Sequence, residues 1–403
     1  MRSNRRRRAA LVPLVLSAFA TFAVAATATN QTVQAGGPTY KVAGTFGKEG
    51  TGNGQFSSNV TGLATDKAGN VYVSDGNLQR IQAFSAKGAF LRNYALVDGG
   101  GITADVAVGP TGDVWGVTQT GAQVRRFPKA GGAPETLATP SSADGIAVDA
   151  DGNVYVSSGI TKVVRFDKTD TGWAPARTWV GSGFQWAIDV EASPDGTIYV
   201  ADVKGAPPNV KRYDASGKLL NKINMKMQAT AGAGVQLGIG VDPDCNVWAT
   251  NNAERNVMLY SPAGKLLATA TSGDMLAKDI AVGPTGDLYL FEVYTKKIIR
   301  FALDRSKPAA AAVQGTIAVA NHVAKVKFAL PGVACPAQVD ATASLTGKGI
   351  SGSAHVKVGA GKTTVIAIPV KAAKGSTSAQ FKIVLKTNGR PTTQVTNVKV
   401  KVR

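Results

Sequence analysis

Residues 62–84 read GLATDKAGNVYVSDGNLQRIQAF: a short apolar strand, a tight turn, a second strand carrying Tyr72, a polar loop and a third strand ending on Phe84. Asp, Gly and Asn suit the turn because they bond their own backbone or accept left-handed angles, whereas Val, Tyr, Ile and Phe favour a pleated, half-buried surface. The pattern recurs five more times. Its first aromatic returns at Trp115, Tyr155, Tyr199, Trp248 and Tyr289, at spacings of 43, 40, 44, 49 and 41 residues, and a second follows at Phe127, Phe166, Tyr213, Tyr260 and Phe301. A period of about 40 to 45 residues with several short strands predicts a β-propeller, because one small sheet cannot bury both faces until neighbouring blades stack on it. Six copies predict six blades.

Five repeats supply a fourth strand, such as FLRNYA at 90–95 and KLLNKI at 218–223. The sixth runs from FALD at 301–304 into a linker composition, KPAAAA at 307–312, so its missing strand is expected from the other end of the chain, in YKVAGTFG at 40–47. Farther on, 316–330, 363–372, 379–387 and 395–402 alternate apolar with polar at period two between Gly-rich turns. They predict a small antiparallel β-sandwich. The expected organisation is all-β: a signal segment at 1–35, a propeller at 36–304, a linker at 305–314 and the sandwich at 315–403.

The N-terminal segment has a basic head, an Ala-rich apolar run and small-residue cleavage patterns ending at Ala25, Ala28 or Ala35, the form of an export signal. A retained anchor is the alternative reading. Charge is uneven. Of the formal +19, five positive charges are Arg2 and Arg5–Arg8, and residues 308–403 carry thirteen Lys and Arg against Asp340 alone. The propeller is therefore nearly neutral, and the C-terminal module strongly basic. An exported module with Phe328 and Phe381 as its only aromatics lacks a base-stacking platform, which argues against nucleic acid and for anionic wall polymer.

In blade one, GTGNGQF at 50–56, GLATDKAGNVYVSD at 62–75 and RIQAF at 80–84 resemble the NHL repeat, with Leu78-Gln79 where Asn-His is expected. The C-terminal run, from ACPAQVDATASLTG to its closing lysine-rich strand, is similar to immunoglobulin-like modules of secreted actinobacterial proteins. The NHL resemblance implies a propeller but spans enzymes, receptor sensor domains and RNA-binding modules. Its enzymes of the amidating-lyase and streptogramin-lyase kind use histidine. This propeller has none, because His322 and His355 both lie in the C-terminal module. No Ser-His or Cys-His nucleophile pair can form in it either, so no catalytic residue is assigned.

Two sets of propeller residues stand out. At one position of the inner strands the six repeats read Gly62, Asp105, Gly145, Asp189, Gly238 and Asp279, and two residues on, Glu191 replaces the Ala or Gly of the other blades. A hard cation, calcium above all, takes such oxygen ligands, as in sugar-lactonase-type propellers; the other reading is that these acids cap inner-strand amides or bind water. The second set lines the loops joining second and third strands: Asp75, Gln119, Ser158, Asp202, Asn251, Asn252 and Glu292, a polar face suited to a protein, peptide or glycan ligand. The sequence DADGN at 149–153 has the spacing of a calcium loop but no acid at its far end, and reads as turn chemistry. Trp173, Trp179 and Trp186, outside the repeat positions, are either packing or a stacking surface for sugar rings. Cys245 replaces a turn glycine of blade five and Cys335 follows the linker; in an oxidising compartment they are expected to form an interdomain disulfide. The resulting expectation is a noncatalytic, extracytoplasmic binding protein without a stable membrane span. A metal-dependent lactonase or lyase is the first alternative, and a purely structural envelope protein the second.

Overall fold

The computed structural model describes residues 39–96, 103–119, 122–139, 141–205, 207–226, 237–270, 275–304, 312–313, 317–320, 322–329, 338–359, 363–373, 378–387 and 390–402. The signal segment and Cys335 lie outside them. Among the described residues no helix is long and apolar enough to cross a membrane.

Six four-stranded antiparallel sheets form a ring. Their inner strands are Val60–Thr65, Thr103–Val108, Ala143–Val148, Ala187–Ala192, Ile239–Val241 and Ala277–Val282, each packed on the next and the last on the first. Second strands (Val71–Asp75, Val114–Thr118, Val154–Ser158, Ile198–Asp202, Val247–Asn251, Leu288–Glu292) are buried at every residue. Their alternating faces serve two neighbouring blades at once. Trp248 of blade five, for example, packs with Leu288, Leu290 and Phe301 of blade six, which is how stacking satisfies the run of apolar side chains.

Blade six is completed from the N-terminus, as expected. Thr39–Phe46 pairs antiparallel with Lys297–Asp304 from Thr39↔Asp304 to Phe46↔Ile298. Tyr40 is 6% exposed and meets Trp248 edge-on, ring centres 5.1 Å apart, so the closing strand also grips blade five.

The first-to-second strand turns of blades one, three and five share one network. In blade three Asp149 accepts from the amides of Asp151 (3.0 Å) and Asn153 (2.9 Å), from Asn153 Nδ2 (2.9 Å) and from the Tyr155 hydroxyl (3.1 Å). Asp66 does the same for its turn, and Asp242 bonds the equivalent amides and asparagine of its own, where Trp248 stands in the place of the tyrosine. Both carboxylate oxygens of Asp149 are thus spent on the turn and the strand that follows it. Gly152 takes φ +87°, and the equivalent Cys245 is forced to +58° and buried.

In the C-terminal module Val323–Ala329 pairs with both Ile317–Ala320 and Thr363–Ala372, so the sheet nearly closes on itself. One pairing, Ile317–Ala320 with the final strand Arg390–Val402, is parallel. Ala312–Val313 already pairs with Val323–Ala329, so the module begins inside the stretch expected to be linker. Val326, Leu345, Ile366, Ile368, Phe381 and Ile383 fill its core, while Lys325, Lys371, Lys382 and Lys399 face solvent. His355 is exposed and its Nδ1 lies 3.1 Å from Thr342 Oγ1.

Candidate functional site

Strands alternate in direction, so loops joining second to third strands share one end of the ring with the segments entering each inner strand. That end is the mouth of the central channel, and the Gly/Asp positions lie just inside it.

Asp105, Asp189 and Asp279 are within the inner strands, at the irregularity where each strand's register with its neighbour shifts. Each carboxylate reaches into the following blade. Asp105 accepts from the amide of Ile146 (2.9 Å), Asp189 from Ile239 (2.7 Å) and Asp279 from Leu63 (2.6 Å). The other oxygen of Asp105 and of Asp189 takes the amide of the next residue in its own strand, both at 2.7 Å. Blades two and three, four and five, six and one are thus stapled in pairs. The alternate glycines are the complement: a Cβ on Gly62 would stand 2.1 Å from Asp105 Oδ1, and one on Gly238 would stand 2.3 Å from Asp279 Oδ1. A side chain there would displace the carboxylate. The amide-capping reading of the Gly/Asp alternation is therefore the one the geometry carries.

The electrostatics are strained. Burial, then the neighbouring acids Asp189 and Asp279, hold the Asp105 carboxyl well above its usual range. Burial and Asp189 do the same to Asp279, and burial pushes Asp189 up to about 6 against its two amide bonds. Glu191 is raised well above its usual value by burial and by Asp189 and Asp279, with only the Ala192 amide in opposition. Among the described residues no cation pairs with Glu191, which stands beside the Ala/Gly ring of the other blades. Three or more His, Cys, Asp or Glu side chains nowhere converge as a metal cage among the described residues. A cation at this level would take most of its ligands from water or backbone oxygen.

The loop residues divide differently from their sequence pattern. Asp75 is buried and accepts from the Ser57 amide (2.9 Å) and the Ser57 hydroxyl. Asp202 accepts from the amides of Gln185 (3.1 Å) and Trp186 (2.8 Å) and from Lys211 Nζ (2.5 Å). Ser158 bonds Ser141 Oγ at 2.8 Å. In blades one, three and four the end of the second strand clamps the segment entering the inner strand, so these side chains face protein. Glu292 is 5% exposed; burial alone would raise its carboxyl, but the Thr295 hydroxyl and nearby amides hold it below the usual range. Gln119 is exposed and donates to Asp144 of blade three (3.0 Å), and Asn252 is half-buried. Asn251 accepts from the Glu254 amide (3.2 Å), but its buried Nδ2, like Trp186 Nε1 on the same end, has no hydrogen-bond partner among the described residues.

Of the other tryptophans, Trp179 is packing: it meets Tyr155 and Tyr213 edge-on and donates to Ala215 O (3.1 Å). Cys245 Sγ lies 2.6 Å from Ser193 Oγ, and Tyr199 donates to Cys245 O (2.9 Å). Sequence reasoning missed Lys211 and Arg126, whose partners Asp202, Asp113 and Glu135 lie within the same blade, and Lys278, whose partner belongs to another. Lys278 donates to Asn59 Oδ1 (2.7 Å) across the ring closure, and burial lowers its ammonium despite Asp279.

No known protein family matches the sequence. No curated protein matches it either. Among solved structures it is similar to a protein of unknown function from Bacteroides thetaiotaomicron, with 17% identity over 68% of this chain and 77% of that one and a TM-score of 0.50. It is also similar to virginiamycin B lyase from Staphylococcus aureus (16% identity, 67% and 91% covered, TM-score 0.48) and to a gluconolactonase from Xanthomonas campestris (15% identity, 60% and 85% covered, TM-score 0.47). At these identities the likeness concerns the propeller fold alone.

Proposed function

We propose that this is an exported, noncatalytic binding protein of the cell envelope, whose propeller takes a small ligand at the channel mouth and whose lysine-rich module contacts anionic envelope polymer. One observation carries the reading: the three aspartates that a metal-dependent hydrolase would present to substrate are spent on the amides of neighbouring blades. With no histidine in the propeller, that leaves Glu191, which takes the amide of its own neighbour Ala192, as the one carboxylate of the set without an amide partner in another blade among the described residues. A cationic group suits such a mouth, since it relieves a cluster of acids that burial and mutual repulsion hold above their usual pKa.

The second reading is a calcium-dependent lactonase or lyase using Asp105, Asp189, Glu191 and Asp279. Its support is Glu191 itself, a half-buried carboxylate among small residues. One experiment separates the two: melting curves with calcium and with chelator, beside a lactone-hydrolysis assay on the same preparation. Identical melts and no hydrolysis uphold the binding reading. A calcium-dependent rise in melting temperature with calcium-dependent turnover replaces it with the second.

A further inference from the structure

Blade three departs from the repeat. Its third and fourth strands, Lys162–Phe166 and Arg177–Val180, are joined by a longer connection than the five-residue turns of blades one, four and five, and this connection folds into a small hairpin, Lys168–Thr169 against Gly172–Trp173. The hairpin lies at the end of the ring opposite the channel mouth, since third-to-fourth and first-to-second turns share that end. It walls a pocket of about 310 Å³ between blades two and three.

The pocket is built and held. Trp173 meets Trp115 edge-on at 4.7 Å, and its Nε1 donates to Gly152 O (2.8 Å), which fixes the indole. Arg126 donates to Asp113 through Nε (3.1 Å) and NH2 (2.8 Å), and to Glu135 (2.7 Å). Its guanidinium carbon stands 4.9 Å from the Trp173 ring centre, and the Lys168 ammonium, bonded to Thr169 O and Gly172 O, stands 4.3 Å from it. Both cations are thus occupied. Asp151 and Asp170 also line the pocket, are exposed, and take part in no ion pair among the described residues.

We infer that this pocket binds an uncharged saccharide ring. The half-buried Trp173 indole, backed by the buried Trp115 and sharing the lining with Pro110 and Val148, lies beside a rim of carboxylates and hydroxyls and matches a ring with one C–H face and hydroxyl donors around its edge, and the volume lies at the lower end of small-molecule sites. Asp113, Glu135, Asp151 and Asp170 outnumber Arg126 and Lys168, so acidic sugars and phosphates are disfavoured. The site is independent of the channel mouth.

The test is calorimetric titration of the full chain with glucose oligomers, N-acetylglucosamine oligomers, a uronic-acid oligomer and a simple diamine. Saturable binding of at least one neutral series is expected, weakened about tenfold or more by Asp151→Ala together with Asp170→Ala, two exposed side chains whose loss leaves the melting temperature unchanged. Trp173→Ala should abolish binding; if it unfolds the blade, the aspartate pair decides. Asn251→Ala, at the mouth, should leave saccharide binding unaltered. The inference is overturned by any of four results: no neutral saccharide binds the folded protein, binding is indifferent to the aspartate pair, the uronic oligomer binds tighter, or the diamine binds tighter.

Discussion

Replacing Tyr40 by Ala tests how the ring closes. Tyr40 sits on the strand that chain order places first and the fold places last, 6% exposed and against Trp248 of blade five. Truncating a buried aromatic to Ala costs about 3–5 kcal/mol; on an outer strand that can partly collapse, the low end, about 3 kcal/mol, is expected. Roughly 1 kcal/mol of that belongs to the edge-to-face contact, which a double-mutant cycle of Tyr40→Ala with Trp248→Leu isolates. At about 2 °C per kcal/mol for a domain of this size, the propeller's melting temperature should fall by about 6 °C. Val42→Thr is the control, since Val42 is 49% exposed on the same strand and should change stability by less than about 0.5 kcal/mol. Scanning calorimetry reads both. If Tyr40→Ala and deletion of residues 36–47 each melt with the parent, the strand does not close the ring and the packing assigned to it is wrong.

Asp189 titrates near 6 rather than the usual 3.8, so the folded state holds protons that the unfolded chain has released in that window, and stability should fall as pH rises through it; Asp189→Asn should flatten that slope in urea melts from pH 4 to 6.5. Gly238→Ala should destabilise by more than a surface Gly→Ala change, because its Cβ meets the Asp279 carboxylate, and a melt equal to the parent would refute the staple geometry. Full chain should adsorb to anionic wall polymer in a salt-sensitive way, screened over about 8 Å at physiological salt, and a chain ending at residue 307 should not. Peptide mapping without reduction should recover Cys245 joined to Cys335; two free thiols in exported protein would overturn that pairing.

The propeller was legible in the sequence because its determinants are local and repeated: a turn Asp bonding its own loop, a strand aromatic, and alternation at a fixed period. Even the closing strand at 40–47 followed from a count of strands per blade. The alternation of Gly62, Asp105, Gly145, Asp189, Gly238 and Asp279 was visible too, but not its meaning. Whether a carboxylate faces an ion or an amide depends on a strand 41 residues away from Asp105, and on one 216 away from Asp279. Asp75 and Asp202 looked like a binding face because loops are commonly exposed, whereas in the ring they are turned inward to clamp the segment entering each blade. The blade-three pocket had only Trp173 as a signal, since its Arg126, Asp113 and Asp151 come from two blades that stacking alone brings together. Sequence determined the blades, through contacts within each repeat; tertiary structure decided the site, through contacts between repeats whose partners no spacing along the chain reveals.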